Sequence, residues 1–375
     1  MSKIIKSSKK HLCFVLIVLV LGLCPLFLQM GMISSSSFVL YLGKCICFCI
    51  VAIGLDLIWG YTGILSLGHG LYFCLGAYCM GMYLKLQATG GGITDFMKTA
   101  GLTELPLVWK PFTSLPLTFL LILLVPAVVS GVLGYLIFKN RVKGVYFSII
   151  SQALTWAGYS LFIALSPYTN GNVGITEIQS VVGSIRGDRN FGNMCTIFYF
   201  GLAVLVVIYA ASNWLTASKF GRLLIAIRDG ENRTYFSGYN VSAFKTCIYV
   251  ISAILAGIAG AIYINFNGSI TPSQMTISYS ITMVIWVAVG GRGTILGPVI
   301  GALLINLCEY NLSSGNLVNI WQYIIGGIFV VMILFFRYGI IGIVTRQLPD
   351  LFCRLTRKKN KQAAAKISVN EGRAV

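Results

Sequence analysis

Acidic side chains are scarce in this sequence: 10 Asp and Glu stand against 28 Lys and Arg in 375 residues. Of these acids, Asp56 and Glu309 are the candidates for intramembrane positions. Intramembrane carboxylates are the usual sign of ion-coupled carriage, so this scarcity argues that any uphill work is powered from outside the chain. Both acids stand near helix ends, where a chargeable side chain can equally reach the headgroup layer. Histidine is scarcer still, at positions 11 and 69 only. That excludes a His-x-x-x-His metal pair, and no Walker A loop occurs either. An intramembrane enzyme would need paired catalytic groups within hydrogen-bond reach. His69 with Asp56 is the one pair to test, and its separation across a glycine-rich junction gives it no geometric support. Cysteine is not lacking, with 11 residues, but nearly all lie in apolar runs, and Cys45, Cys47 and Cys49 point to different faces of a helix. Neither a disulfide framework nor a zinc site follows; the thiols read as small hydrophobes.

What the chain has in quantity is apolar sequence, at 57% hydrophobic and 10% charged. A bilayer core takes roughly 20 apolar residues per helix, so the runs can be counted as spans: Leu12–Ile33, Phe38–Trp59, Leu67–Leu84, Leu117–Phe138, Val145–Leu165, Met194–Leu215, Thr246–Phe266, two short ones ending near Val289 and Leu307, and Ile320–Phe336. The short pair is expected to be broken or tilted, and Ala256-Gly-Ile-Ala-Gly260 offers a face of small residues for close helix packing. The expected fold is an all-α polytopic membrane protein with about ten transmembrane helices. The net charge of +18 does not point to nucleic acid, because the cations flank spans. With both termini cytoplasmic, most cations fall inside, as the positive-inside rule requires. Lys85, Lys98, Lys110, Arg186 and Arg189 remain outside, and Lys44 snorkels from a span.

Two stretches stand out. The first, Lys219–Lys245, carries Lys219, Arg222, Arg228, Arg233 and Lys245 against Asp229 and Glu231, the sign of a cytoplasmic loop. Leu223–Arg228 suits a short helix, Asp229-Gly230 punctuates it, and Glu231–Ser237 can form another turn or two with Gly238 as a left-handed stop. Tyr235 and Phe236 would then be exposed anchors for a partner's groove; the plainer reading is a solvated basic loop that sets topology. The second stretch, Gly54–Gly70, has five glycines at the junction of two spans. Irregular backbone inside a membrane is tolerated only where protein or a wet cavity surrounds it. Tyr61, Thr62, Ser66 and His69 could serve a neutral polar solute there, with Gly68 allowing close approach. The alternative is a glycine-packed helix pair with one satisfied histidine.

Gly60-Tyr-Thr-Gly-Ile-Leu-Ser-Leu-Gly-His-Gly70, followed by Gly76-Ala-Tyr78, resembles the signature of permease subunits of branched-chain amino-acid-type ABC importers. The resemblance continues through Arg141-Val-Lys-Gly-Val-Tyr-Phe-Ser-Ile-Ile150, Phe220-Gly-Arg222, Ala226-Ile-Arg-Asp229, Gly238-Tyr-Asn240 and Val284-Ile-Trp-Val-Ala-Val-Gly-Gly-Arg-Gly-Thr294. Within that family Gly54-Leu-Asp-Leu57, the run Val142–Ser148 and the run Ile285–Gly293 are most similar to the urea-type permease. The resemblance implies a heterodimeric pore with a second permease subunit, two cytoplasmic ATP-binding subunits that hold ATP and Mg, and a periplasmic solute-binding protein; this chain itself would bind no cofactor and perform no catalysis. It further implies a basic cytoplasmic amino terminus at 1–11, a permease domain at 12–345 and a basic tail at 346–375. Within the permease domain, 219–245 would be the ATPase-coupling loop, with Arg222, Arg228, Asp229, Glu231, Tyr235, Phe236 and Asn240 as its coupling residues. Asn172 joins the expected substrate pathway. Where relatives read Gly-Asn-Asn-Gly-Leu-Thr this chain has Gly171-Asn-Val-Gly-Ile-Thr176, and where many have an acid before Val-Ile-Trp it has Thr282, so a branched-chain amino acid or a short amide stands as the alternative to urea. A self-sufficient carrier or channel is the reading from another class.

Overall fold

The computed structural model describes residues 2–29, 36–142, 144–178 and 191–313, together with the short stretches 323–324, 326–327, 330–331 and 339–342. All regular elements among them are helical, apart from one isolated antiparallel bridge, Ile175 to Ile270. The long helices are α1 (Ser2–Gln29), α2 (Ser36–Thr62), α3 (His69–Ala88), α5 (Leu115–Lys139), α6 (Val145–Ala164), α8 (Phe191–Ala217), α9 (Lys219–Phe236), α10 (Val241–Asn267), α11 (Ile277–Gly290) and α12 (Leu296–Ser313). Two short ones, α4 (Asp95–Thr99) and α7 (Ser166–Thr169), sit in connections.

Among the described residues, five segments are long and apolar enough to cross a bilayer: Ser37–Thr62, Leu115–Lys139, Val145–Ala164, Met194–Ala217 and Val241–Asn267. They coincide with five of the ten expected spans. Leu12–Leu26 and Ile277–Gly290 are shorter apolar helices, as expected of α11. The span at Ile320–Phe336 and the basic tail at 346–375 lie outside the described residues, save for short helical pieces of the former. Helix α1 begins at Ser2, ten residues before the expected span. The connection from Thr89 to Ser114 is folded rather than open: Met97, Trp109 and Phe112 are buried in it, and Trp109 Nε1 donates to the Tyr168 carbonyl at 3.0 Å.

Burial separates the helices by role. In α2, 78% of the apolar window is buried and in α10 67%, against 28% in α5 and 17% in α6. Helices α2 and α10 therefore form the centre, with α10 packed between α2 and α3, while α5 and α6 turn apolar surface outward, the inverse of a water-soluble arrangement. Close approach of α3 and α10 depends on the small face read from the sequence. A Cβ placed at Gly260 would strike the Phe73 carbonyl, and one at Gly76 would strike the Gly257 backbone, as expected where helices pack backbone to backbone in lipid.

Candidate functional site

Helix α2 ends at Thr62 and α3 starts at His69, leaving Gly63–Gly68 as a non-helical break inside the bundle. Backbone polar groups released there must find partners, since each one left bare in hydrocarbon costs several kcal/mol. Helix α6 supplies them. Ser151 Oγ accepts from Leu67 N at 3.0 Å, Ser148 Oγ donates to the Leu65 carbonyl at 2.7 Å and Thr155 Oγ1 reaches the Leu67 carbonyl at 3.3 Å. Ser280 of α11 accepts from Gly70 N at 3.2 Å. The buried face of α6 is accordingly Phe147, Ser148, Ser151 and Thr155, while Ile149, Trp156 and Leu161 face outward.

His69 is fully engaged. It is 1% exposed; its Nε2 lies 2.6 Å from Ser252 Oγ and its Nδ1 3.1 Å from Ser66 Oγ. Ser252 donates onward to the Gly54 carbonyl, so its oxygen accepts from His69 Nε2–H and leaves Nδ1 as the acceptor for the Ser66 hydroxyl. Ser66 Oγ also accepts from Gly68 N at 3.4 Å. The imidazole thus ties the α2–α3 break to α10, which is the satisfied-histidine alternative rather than a free ligand for solute. Gly68 sits against α6, where a Cβ would come within 3.2 Å of the Ser151 carbonyl.

The other expected pathway residues are not gathered around this network. Thr62 Oγ1 donates to the Ile58 carbonyl in its own helix at 2.5 Å. Tyr61 packs beside Leu57, Leu224 and Ile248 at the α9 end of α2. Asn172 is exposed in the turn after α7. Nor does the catalytic pair form, because Asp56 holds a different partner from His69: its Oδ1 accepts from Gly293 N at 2.6 Å. Glu309 is only partly buried, on α12.

The basic stretch is mostly helix rather than loop. Ser218 caps α9, accepting from Gly221 N at 3.5 Å, and the helix runs four residues earlier than the sequence suggested. Gly230 breaks its geometry at φ −166, ψ 73, and Gly238 takes the left-handed conformation at φ 86, both where punctuation was read. Gly221, Leu224, Ile227 and Thr234 form the buried face. On the other side Arg222, Arg228, Asp229, Tyr235 and Phe236 are exposed, Phe236 at 85%. Beside the kink lies a hollow of about 370 Å³ lined in part by Asp229, Gly230, Arg233 and Tyr239.

Five coupling candidates have partners within the chain. Glu231 Oε1 pairs with Lys245 Nζ at 2.7 Å, Asn240 Oδ1 caps α10 by accepting from Ala243 N at 3.2 Å, and the Arg141 guanidinium stands 4.8 Å from the Tyr235 ring. Arg228 has the contact that sequence reasoning missed. Its Nη1 donates to the Gly60 carbonyl at 2.7 Å while Nε holds Asp229 at 3.0 Å. A Cβ at Gly60 would strike both Asp56 and Gly293, so α9, the end of α2 and the α11–α12 turn meet at one point. Arg292 completes the junction, 5.7 Å from the Trp59 ring. The only sequence signal for this meeting was the unusual density of glycine at both ends.

The comparisons with known proteins bear on this arrangement of a membrane bundle with an exposed amphipathic arm. Residues 37–334 match the family described as branched-chain amino acid transport system, permease component. The chain is 23% identical to the high-affinity branched-chain amino acid transport system permease protein LivM of Salmonella typhimurium, over 95% of this chain and 80% of that protein. It is 23% identical to a probable LivM permease of Methanocaldococcus jannaschii, over 77% of this chain and 88% of the relative. The ribose import permease protein RbsC of Escherichia coli K12 is 26% identical over 55% of this chain and 64% of its own length. No solved structure matches. The match to the family's description across most of the chain makes this protein a member of the branched-chain amino acid transport system permease family, a multi-pass membrane permease component of ABC importers.

Proposed function

We propose that the chain is one of two membrane subunits of an ATP-driven importer in a bacterial inner membrane, with urea as its solute. Two ATP-binding subunits carrying ATP and Mg would dock on α9 from the cytoplasm, a second permease subunit would complete the pore, and a periplasmic binding protein would deliver solute. The observation that carries the importer reading is α9 itself: an amphipathic helix outside the bundle, exposing Phe236 and Tyr235 yet joined through Arg228 to the Gly60 carbonyl at the end of α2. A movement imposed on α9 would reach α2 directly and the α11–α12 turn through Gly60. Both chain ends are assigned to the cytoplasm on the charge distribution.

Urea rests on the runs Gly54–Leu57, Val142–Ser148 and Ile285–Gly293, and on chemistry. Urea offers N–H donors and one carbonyl without net charge, so it needs hydrogen-bond partners and no salt bridge, whereas an amino acid needs both its carboxylate and its ammonium matched. The family description and the LivM relatives favour a second reading, a branched-chain amino acid. Uptake of labelled urea and of leucine in cells expressing the chain with its partner subunits decides between them. Urea uptake that requires both the chain and ATPase activity is the expected outcome; leucine uptake alone establishes the second reading, and flux indifferent to the ATPase rejects the importer.

A further inference from the structure

Helices α11 and α12 form a hairpin whose arms meet backbone to backbone. A Cβ at Gly290 would strike the Gly297 carbonyl, and one at Gly301 would strike the Trp286 carbonyl. The arms are thus held at a separation that only glycine allows, and they shift together. Side-chain hydrogen bonds fasten the hairpin to the bundle at several heights. At the end far from α9, Tyr41 Oη donates to the Asn306 carbonyl at 2.7 Å; midway, the Cys49 thiol makes a weak 3.6 Å contact with the Val299 carbonyl. At the α9 end the fastening is a charge. The Asp56 carboxylate, on a residue 1% exposed, accepts from Gly293 N at 2.6 Å and from Thr294 N. These successive amides project from a turn that Gly291 and Gly293 make at φ 116 and 75, a backbone concavity of the type that holds anions. Helix α2 supplies the anion and the hairpin supplies the cradle.

Asp56 stands about one turn before Gly60 on α2, and the Gly60 carbonyl is where Arg228 takes hold. That carbonyl lies 3.5 Å from the position of a Cβ on Gly293. The residue that α9 grips and the residue that grips the hairpin are therefore on successive turns of one helix. Hydrogen bonds from amides to a carboxylate are stronger than neutral ones and directional, so they pass on a displacement that non-directional apolar packing would let slide. A second partner for the carboxylate is also in place. Arg292, between the two glycines of the turn, is exposed and acts electrostatically on Asp56. Its guanidinium lies 5.7 Å from the ring of Trp59, three residues after Asp56 and so on the same face of α2. Among the described residues no ion pair occupies Arg292. Asp56 thus fills a cradle of amides and has a guanidinium without a counter-ion beside it, the two arrangements that a two-state contact needs.

On the importer reading above, we propose that Asp56 is a positioning residue for transport, the latch through which α9 moves the α11–α12 hairpin. It is seated on Gly293 N and Thr294 N in the present arrangement and passes to Arg292 when α9 draws the end of α2 away from the turn. The role needs no solute at Asp56 and leaves the solute's route to the pore that the second permease subunit completes. It also gives this buried acid work other than ion coupling, the use that an intramembrane carboxylate would otherwise suggest.

The test uses the complete importer in proteoliposomes with its binding protein, reading uptake of labelled urea and leucine, ATP hydrolysis and thermal unfolding together. Asp56→Asn keeps an oxygen for the two amides and removes the charge. Uptake per ATP hydrolysed is expected to fall by about tenfold or more, the factor that one hydrogen bond to a charged group is worth, while the ATP-binding subunits still co-purify. Arg292→Gln leaves the amide cradle untouched, so the melting temperature stays at the wild-type value, yet uptake per ATP falls because the carboxylate has lost its second partner. Arg292→Lys restores much of that loss. A merely structural Asp56 would lower the melting temperature in Asp56→Asn and leave Arg292→Gln with full transport. Wild-type uptake per ATP in Arg292→Gln therefore overturns the latch, as does wild-type uptake per ATP in Asp56→Asn. Should Asp56→Asn fail to assemble, the two Arg292 variants decide the matter by themselves. Absence of ATP-dependent uptake of either probe by the wild-type complex overturns the importer reading itself.

Discussion

Glu231 shows how a residue of the expected coupling segment can also hold a partner inside its own chain. It lies in the basic arm α9, where a carboxylate invites a role in docking, yet its partner is Lys245, the fifth residue of α10, at 2.7 Å. The Lys245 side chain is 8% exposed and that of Glu231 29%. Removing one member of a buried pair costs about 3–5 kcal/mol because the other charge is stranded, and partial exposure of the glutamate reduces this through solvent screening. Glu231→Gln is therefore expected to destabilise the complex by about 1–3 kcal/mol on those grounds, read as a fall in the thermal unfolding midpoint. The double variant Glu231→Leu, Lys245→Met removes both charges and restores most of the loss. If Glu231→Gln leaves the midpoint unmoved but impairs ATPase co-purification, the residue faces the partner and the internal pair is incidental. Asp56 belongs to the same lesson, since its grip on Gly293 joins residues 237 positions apart, a pairing no local pattern announces.

At the scale of elements, helix positions were legible and their partners were not. Long apolar runs mark α2, α5, α6, α8 and α10 because hydrocarbon thickness sets their length, and Gly238 marks the stop of α9 because other residues pay a steric cost at its positive φ, with Gly230 falling at the kink. The glycine-rich break at 63–68 was equally visible. What completes it, Ser148, Ser151 and Thr155 on α6, lies over 80 residues downstream, and serine in an apolar run is too common to flag a polar inner face. The structure makes that face testable. Ser151→Ala strands the Leu67 N–H inside the bundle and is expected to cost about 1–3 kcal/mol, the penalty for an orphaned buried donor, measured by thermal unfolding in detergent. Ile149→Ala, on the outward face of the same helix, is the matched substitution that changes surface rather than the break. A stability loss confined to Ile149→Ala would reverse the orientation assigned to α6.

For the whole molecule the decisive question is how force enters the bundle. Helices α2 and α10 are enclosed by their neighbours, whereas α9 stands at the edge with Phe236 85% and Tyr235 50% exposed. A large aromatic ring left bare on an otherwise polar helix marks a contact surface, and Arg228 carries any displacement of that surface to the Gly60 carbonyl. Phe236→Asp tests the entry point. Since the ring, among the described residues, makes its one aromatic contact with Tyr235, 5.8 Å away on the preceding residue, its loss should change the stability of the permease by no more than about 0.5 kcal/mol, the usual range for exposed positions. Membrane insertion and the melting temperature stay unchanged, while co-purification of the ATP-binding subunits and solute uptake fall together. Arg228→Ala separates docking from transmission: co-purification and basal ATP hydrolysis persist, and uptake per ATP hydrolysed drops. Should Phe236→Asp retain both co-purification and uptake, the partner grips another surface and α9 serves only to set topology; should Arg228→Ala keep its uptake per ATP, force passes from α9 into the bundle by another contact.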